Sequence, residues 1–374
     1  MVLAFASCGR YNTRPFVTVS TSLPDQRAWV DVHLGHLLAN ARTILSVARG
    51  ASLLPMVKAN AYGLGAARVA EALQTLEPWG HGVATLDEGV ELRRTVAEWP
   101  ILVFTPASAD LQGAFREHRL RAVLEQPVVA ATWDAPFHIE VDTGMGRCGV
   151  RWDDRETLAA CAMPQLEGAF THFHSADKDP ESVALQWKRF ATALAALPVR
   201  PSLVHAANSA GAWRLQRRLD LVRPGIFLYG GRHAPDLPAP LPVAQVRARV
   251  VSLRVVPPGD SVSYGGEWTA ERETTVATLG IGYADGVPRT LGGSGAHVLL
   301  GGRPRPIIGR VTMDFIMVAL QPDDRVRLGD VATVIGLEGR EAITLDQFAA
   351  WGSTNSYEVL TRLGNRLPRR YDDP

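Results

Sequence analysis

The chain has 374 residues, too many for one typical hydrophobic core, so two domains are expected. With 46% hydrophobic and 21% charged residues it is an ordinary globular sequence, and a net charge of +1 argues against a nucleic-acid or membrane-surface partner. Cys8, Cys148 and Cys161 form no Cys-x-x-Cys pair, which argues against a disulfide framework or a zinc finger and fits a reducing cytoplasm. No apolar run reaches the roughly 18 residues that span a bilayer.

Residues 1–24 share no pattern with the rest of the chain. Their apolar start lacks the basic region of a signal peptide, and the stretch reads as a disordered tail or a mis-assigned start. A strand is predicted over 28–32 and a helix over 34–48, where apolar residues recur at helical spacing. Eight strand-like runs come next, at 53–58, 82–86, 101–105, 121–125, 137–142, 166–173, 202–206 and 219–223. Helical runs separate most of them, among them 88–99, 155–162 and 181–197. Such repeats imply parallel strands joined by crossovers, and eight of them predict a (β/α)8 TIM-type barrel over 25–245. Its first strand, at 28–32, is assigned to the β-domain side. Residues 233–242 are proline-rich and read as a linker. Beyond them, runs at 246–256, 274–280, 297–300, 306–308, 315–318 and 331–335 predict an all-β domain over 246–374, with one short helix at 344–351.

Barrel enzymes place their chemistry at the carboxyl ends of the strands. Lys58 ends the first of the eight runs, and a lysine there is poorly hydrated, so its pKa falls and the neutral amine can attack a carbonyl. The chain has only three lysines, and Lys178 and Lys188 lie in polar helical surroundings, so Lys58 is the candidate for covalent chemistry. Arg147 follows the fifth run and His172 ends the sixth. Asn208 and Ser209 follow the seventh; Ser209 opens a helical stretch whose free N–H groups suit a phosphate. Arg223, Gly225 and Ile226 follow the eighth, where barrels often bind phosphate. Alternation in Phe137-His138-Ile139-Glu140-Val141-Asp142 turns Glu140 and Asp142 into the barrel. His172-Phe173-His174 with Asp177 also admits a metal-dependent hydrolase, although Lys58, Arg147, Ser209 and Arg223 at the other strand ends suit an anion better and no metal is expected.

Val57-Lys58-Ala59-Asn60-Ala61-Tyr62-Gly63-Leu64-Gly65 resembles the pyridoxal-phosphate lysine signature of the alanine racemases and departs from it only at Leu64, where histidine is common. The same family is matched, in order, by Thr171-His172-Phe173, Asn208-Ser209-Ala210, Leu221-Val222-Arg223-Pro224-Gly225-Ile226, Val262-Ser263-Tyr264-Gly265, Gly280-Ile281-Gly282-Tyr283-Ala284-Asp285-Gly286, Gly309-Arg310-Val311-Thr312-Met313-Asp314 and Asn355-Ser356-Tyr357-Glu358-Val359. Thr312 stands where cysteine is frequent. The resemblance implies a pyridoxal 5'-phosphate enzyme that interconverts L- and D-alanine and supplies D-alanine for peptidoglycan. It implies that Lys58 forms the Schiff base, that Tyr62, His172, Asn208, Ser209, Arg223, Gly225, Ile226 and Tyr357 hold the cofactor, and that Arg147 and Met313 meet the substrate. Lys58 and Tyr283 would be the two bases on opposite faces of the α-carbon, with Tyr283 and Met313 coming from the partner in a homodimer. The Tyr283 phenol is then expected to have stabilising cations and hydrogen bonds beside it, and Asp177, Arg310 and Asp314 are supporting residues. Glu140 stands where many members carry a carbamylated lysine, and it is expected to orient Arg147 with its own carboxylate, through a water if the group is too short. The alternatives on the same scaffold are a serine or broad-specificity racemase and a basic amino-acid decarboxylase; a non-catalytic pyridoxal-phosphate barrel would lack the β domain.

Overall fold

The computed structural model describes residues 26–372, and the tail expected over 1–24 lies outside the described residues. Strand β1 (Ala28–Val32) leads into the helix Leu34–Val47, whose Leu34, Leu37, Leu38, Ala41 and Ile44 form the buried stripe that its spacing predicts. The barrel strands are β2 (Ser52–Leu53), β3 (His81–Val83), β4 (Ile101–Pro106), β5 (Arg121–Leu124), β6 (Phe137–Asp142) and, after the short β7 (Val150–Arg151), β8 (Leu166–Phe170), β9 (Leu203–His205) and β10 (Leu221–Val222). They lie parallel in the order β2-β10-β9-β8-β6-β5-β4-β3, and a parallel bridge from Met56 to Gly82 closes the ring.

The alternation along β6 works as the sequence predicts. Phe137, Ile139 and Val141 join the core beneath the helices, while Glu140 turns to the interior. Leu54, Leu102, Val123, Phe170 and Leu221 fill the barrel as a separate apolar layer. A polar group above that layer therefore sits on a dry floor.

The second domain contains β11 (Ala244–Val256), β12 (Ser261–Val262), β13 (Trp268–Thr269), β14 (Thr274–Leu279), β15 (His297–Leu300), β16 (Arg303–Ile308), β17 (Ile316–Ala319), β18 (Val331–Glu338), β19 (Glu341–Ile343) and β20 (Arg369–Tyr371). β11 is long enough to pair with β18 near its start and β14 near its end, so β11, β14, β17, β16, β15 and β18 close on themselves. β1 pairs antiparallel with β11, and β20 pairs parallel with β1. Both ends of the described chain thus lie in the β sheet.

Several elements differ from their predicted extents. Pairing in the run at 53–58 shrinks to β2 and the Met56 bridge, because Pro55 has no N–H to offer a ladder. The helix predicted at 88–99 is Leu86–Arg93; it stops where the Arg93 guanidinium turns to the carbonyls of Val96, Ala97 and Trp99. β8 ends at Phe170, before the predicted 173, and the Thr171 carbonyl accepts from Arg223 instead of a strand. Two helices close the chain where one was expected: Leu345–Trp351 and Ser356–Thr361, the second capped by Asn355 Oδ1, which accepts from Glu358 N–H at 3.0 Å.

Candidate active site

Lys58 leaves the barrel on a firmly held strand end. Met56 N–H donates to Pro224 O (3.0 Å) and Val57 N–H to Gly82 O (2.8 Å). Directly after it, Ala59, Asn60, Ala61 and Tyr62 have φ of 51°, 54°, 52° and 55°, a full turn of left-handed backbone. Side chains disfavour that conformation by about 1–2 kcal/mol per residue, so neighbours must hold it. Asn60 Oδ1 accepts from Ala66 N–H (2.7 Å), Tyr62 stacks on Tyr229 with centroids 4.6 Å apart, and β20 contributes two donors: Arg369 Nε to Gly63 O and Tyr371 Oη to Leu64 O, both at 2.9 Å.

The carboxyl ends of the strands then surround a cavity of about 750 Å³. Lys58, Tyr62, Glu140, Arg147, His172 and Asn208 line it, together with Ser209, Arg223, Gly225, Ile226 and Tyr357. Arg223 is 3% exposed; one guanidinium nitrogen lies 2.7 Å from His205 Nδ1, and the other donates to Thr171 O at 2.8 Å. Burial brings its pKa to about 10, so it stays a cation at neutral pH. Glu140 is also 3% exposed, and its Oε1 lies 3.4 Å from the Arg147 guanidinium, a direct but long contact with no need of a bridging water. Burial raises the Glu140 carboxyl against the opposing pull of Arg147 and Arg223. Burial, followed by the charges of Arg147 and Arg223, lowers the Lys58 amine, with Glu88 opposing. His172 is pushed down to about 3 by burial and by the Arg223, Arg147 and Lys58 cations, so it is a neutral ring facing the cavity.

The helix expected after Ser209 is a single turn, Gly211–Arg214, since Leu215 returns to extended backbone. Ser209 ties two loops together instead: its Oγ accepts from Gly225 N–H at 3.0 Å and from Phe227 N–H at 3.4 Å. Asn208 Oδ1 accepts from Gly211 N–H at 2.9 Å. A Cβ at Gly225 would lie 2.3 Å from the Tyr62 hydroxyl, so only glycine lets these loops approach. Tyr357 stands at the rim, its ring centroid 6.1 Å from that of Tyr62, and its phenol is pushed up to about 12 by burial and by Asp177. Asp177 does not line the cavity; its charge contributes to raising the Tyr357 phenol.

The remaining candidates lie elsewhere. Tyr283 (41% exposed) and Met313 (52% exposed) share an outer face of the β domain, joined through Ala284 N–H to Met313 O at 3.0 Å. Their loop is built around buried Asp285, which accepts from Arg27, Arg366 and the Gly282 N–H. Asp314 pairs with Arg366 at 2.9 Å and Arg310 with Glu267; both support this loop region and neither lines the cavity. Among the described residues of one chain the Tyr283 hydroxyl has no hydrogen-bond partner, and Arg366 and Arg310 pair with Asp285, Asp314 and Glu267. His205, which orients Arg223, was missed in the sequence; inward alternation along 202–206 could have flagged it. Cys148, a free thiol beside Arg147, also lines the cavity unforeseen.

Among the described residues no cluster of three or more His, Cys, Asp and Glu side chains could hold a metal, and His174 turns outward to Ser175. No helix among them is long and apolar enough to cross a membrane. The cavity does fit a phosphorylated aldehyde cofactor: an amine whose proton affinity burial lowers, a glycine-lined loop pair tied by Ser209, and buried Arg223 against its floor.

Solved structures share this architecture. Alanine racemase from Bacillus anthracis with bound L-Ala-P superposes with a TM-score of 0.86 at 32% identity, over 93% of this chain and 96% of that one. Alanine racemase from Bartonella henselae with covalently bound pyridoxal phosphate gives a TM-score of 0.84 at 28% identity, over 93% of this chain and 100% of that one. Fold and site together define an amino-acid racemase of the pyridoxal-phosphate-dependent class, an isomerase. The chain matches the families described as alanine racemase N-terminal domain, over residues 32–233, and alanine racemase C-terminal domain, over 243–371. It is 43% identical to the alanine racemase of Deinococcus radiodurans over 331 residues (86% of this chain, 92% of that protein) and 36% identical to that of Carboxydothermus hydrogenoformans over 364 residues (92% and 99%). The chain belongs to the alanine racemase family.

Proposed function

We propose that this enzyme interconverts L- and D-alanine with pyridoxal 5'-phosphate, using Lys58 and Tyr283 as its two bases. The observation that carries the reading is the gathering of Lys58, Arg147, His172, Ser209, Arg223 and Tyr357 around one cavity at the strand ends. When bound, the cofactor acidifies the α-hydrogen of an amino acid bonded to it. Of the residues lining the cavity, Lys58 would hold its aldehyde, Tyr62, Asn208, Ser209, Gly225, Ile226 and Tyr357 would hold its phosphate, Arg223 would meet its ring nitrogen and His172 its ring.

Arg223, with a pKa of about 10, stays a cation at neutral pH, so it would donate a hydrogen bond to a ring nitrogen without protonating it. Arg147 receives the substrate carboxylate, and Glu140 holds the guanidinium by its 3.4 Å contact. Lys58, its proton affinity lowered by burial, takes or returns the α-proton on one face. Tyr283 serves the other face from a second copy of the chain, and Met313 comes with it to crowd the site around a methyl-sized side chain. A homodimer with shared sites follows, acting on free alanine and supplying the D-isomer to peptidoglycan.

The test is the absorbance of the purified protein before and after borohydride, followed by L-alanine exchange in deuterium oxide. A band in the visible that borohydride abolishes, with a pyridoxyl label on Lys58, followed by deuterium at the α-carbon and D-alanine appearing, is the expected result. A colourless protein that stays colourless with added pyridoxal phosphate overturns it.

A further inference from the structure

The turn behind Lys58 is the one run of consecutive left-handed non-glycine residues among those described; the others occur singly. Its later residues are held by Asn60, β20 and the Tyr62–Tyr229 stack. Its first residue is held by a side chain that neither the motifs nor the cavity lining singles out. Glu88 Oε1 accepts from Ala59 N–H at 2.7 Å, and Glu88 Oε2 accepts from Ala84 N–H at 2.7 Å and from Thr85 N–H at 3.3 Å. One carboxylate thus joins the Lys58 turn to the loop between β3 and the helix Leu86–Arg93.

The Ala59 N–H belongs to the planar Lys58–Ala59 peptide, so fixing it, with Val57 N–H already held by Gly82 O, limits the backbone rotation that sets how the lysine side chain departs. Both carboxylate oxygens face N–H donors. A glutamine there would turn an NH2 toward one of them and lose an arm of the bridge. Glu88 also caps the helix Leu86–Arg93 through a reciprocal pair with Thr85, whose Oγ1 accepts from Glu88 N–H at 3.3 Å. A helix cap needs the Thr85 arm alone; the arm to Ala59 serves the turn.

We propose that Glu88 is a positioning residue for the Lys58 amine, pinning the strained turn behind the lysine and placing a negative charge on its peptide. This deepens the reading above and rests on Lys58 being the reactive amine. The charge tempers the effect of burial: Glu88 raises the amine's proton affinity where burial, Arg147 and Arg223 lower it. The other titratable groups lining the same cavity are His172, Glu140, Tyr62, Cys148, Tyr357 and Glu358.

The experiment compares the full-length wild-type protein with Glu88→Gln and Thr85→Ala. Thr85→Ala removes the hydroxyl half of the cap, the acceptor for Glu88 N–H, and leaves the arm to Ala59. Hydrogen exchange of the purified proteins is read at residues 59–62 and in the helix Leu86–Arg93. Glu88→Gln is expected to speed exchange at 59–62 about tenfold, whereas Thr85→Ala loosens only the helix. Acetylation of the full-length chain freed of cofactor is then read at Lys58, with Lys178 and Lys188 as internal references. Loss of the carboxylate is expected to speed Lys58 labelling about threefold relative to both. The proposal is overturned if Glu88→Gln matches Thr85→Ala in both readouts. Should Glu88→Gln not fold, the wild type decides: Ala59 must exchange as slowly as the amides of the neighbouring helix, and exchange at solvent speed overturns the proposal. Borohydride label on a residue other than Lys58 would instead sink the functional reading and leave the exchange result standing.

Discussion

Glu140 and Arg147 meet at 3.4 Å, the long end of a charge-assisted contact. Removing the negative charge while keeping the shape should therefore cost the low end of such contacts, about 1 kcal/mol. Glu140→Gln is expected to raise KM for alanine about fivefold with kcat little changed; steady-state kinetics in both directions check this, and an unchanged KM would rule out the positioning role. The histidines give a second expectation. Burial holds His172 near pH 3 and His81 and His233 near pH 4, all below the ordinary 6.5. Each binds fewer protons folded than unfolded in that interval, so its contribution is complete above about 6.5 and is lost as the pH falls toward the folded value. Thermal melts between pH 7 and pH 4 should show Tm dropping on the acid side. His233→Phe should flatten the slope, because a phenyl ring can keep the packing against Trp213 and Phe227.

At the scale of elements, the decisive piece is the left-handed turn between Lys58 and Gly63. Gly63 has φ of 85°, and a Cβ there would lie 2.4 Å from the Leu360 carbonyl, on the helix Ser356–Thr361. Gly63→Ala should destabilise the protein by about 1–3 kcal/mol, measurable as a lower denaturant midpoint. An unchanged midpoint would mean that the turn can relax without its clamp. Little of this turn was legible. Asn60 is the one residue in it that tolerates positive φ readily, whereas Ala59, Ala61 and Tyr62 carry no such signal. The strand ends were legible, because the apolar runs that precede them are continuous and buried. Pro55 was readable as a ladder breaker and was overlooked; Asn355 was readable as a cap, with Glu358 three residues on.

At the scale of the whole molecule, Tyr283 and Met313 lie outside the cavity that Lys58 enters, on an outer face that also exposes Tyr264 and Phe315. If that face completes the cavity of a second copy, two dead variants should rescue each other. Equal mixtures of Lys58→Ala and Tyr283→Phe, unfolded and refolded together, are expected to regain about a quarter of wild-type activity, since half the dimers would be hybrids with one intact site of two. No recovery, from hybrids shown to form, would place Tyr283 in the cavity of its own chain or remove it from the reaction.

The amino-acid order alone determined the eight-strand barrel, the β domain after it and the strand ends that carry Lys58, Arg147, His172, Ser209 and Arg223. Those features are written in local hydrophobic period and in the turn residues that end each run, which any short window of sequence contains. The tertiary structure decided the rest: the burial of Arg223 against His205, the meeting of Glu140 with Arg147, the Glu88 bridge to Ala59 and the separation of Tyr283 from the cavity. Most of these depend on groups from different strands and loops reaching one dry volume, where an unpaired charge or N–H is costly and each must find its partner. That constraint acts between distant residues and leaves little trace in the neighbours of either one.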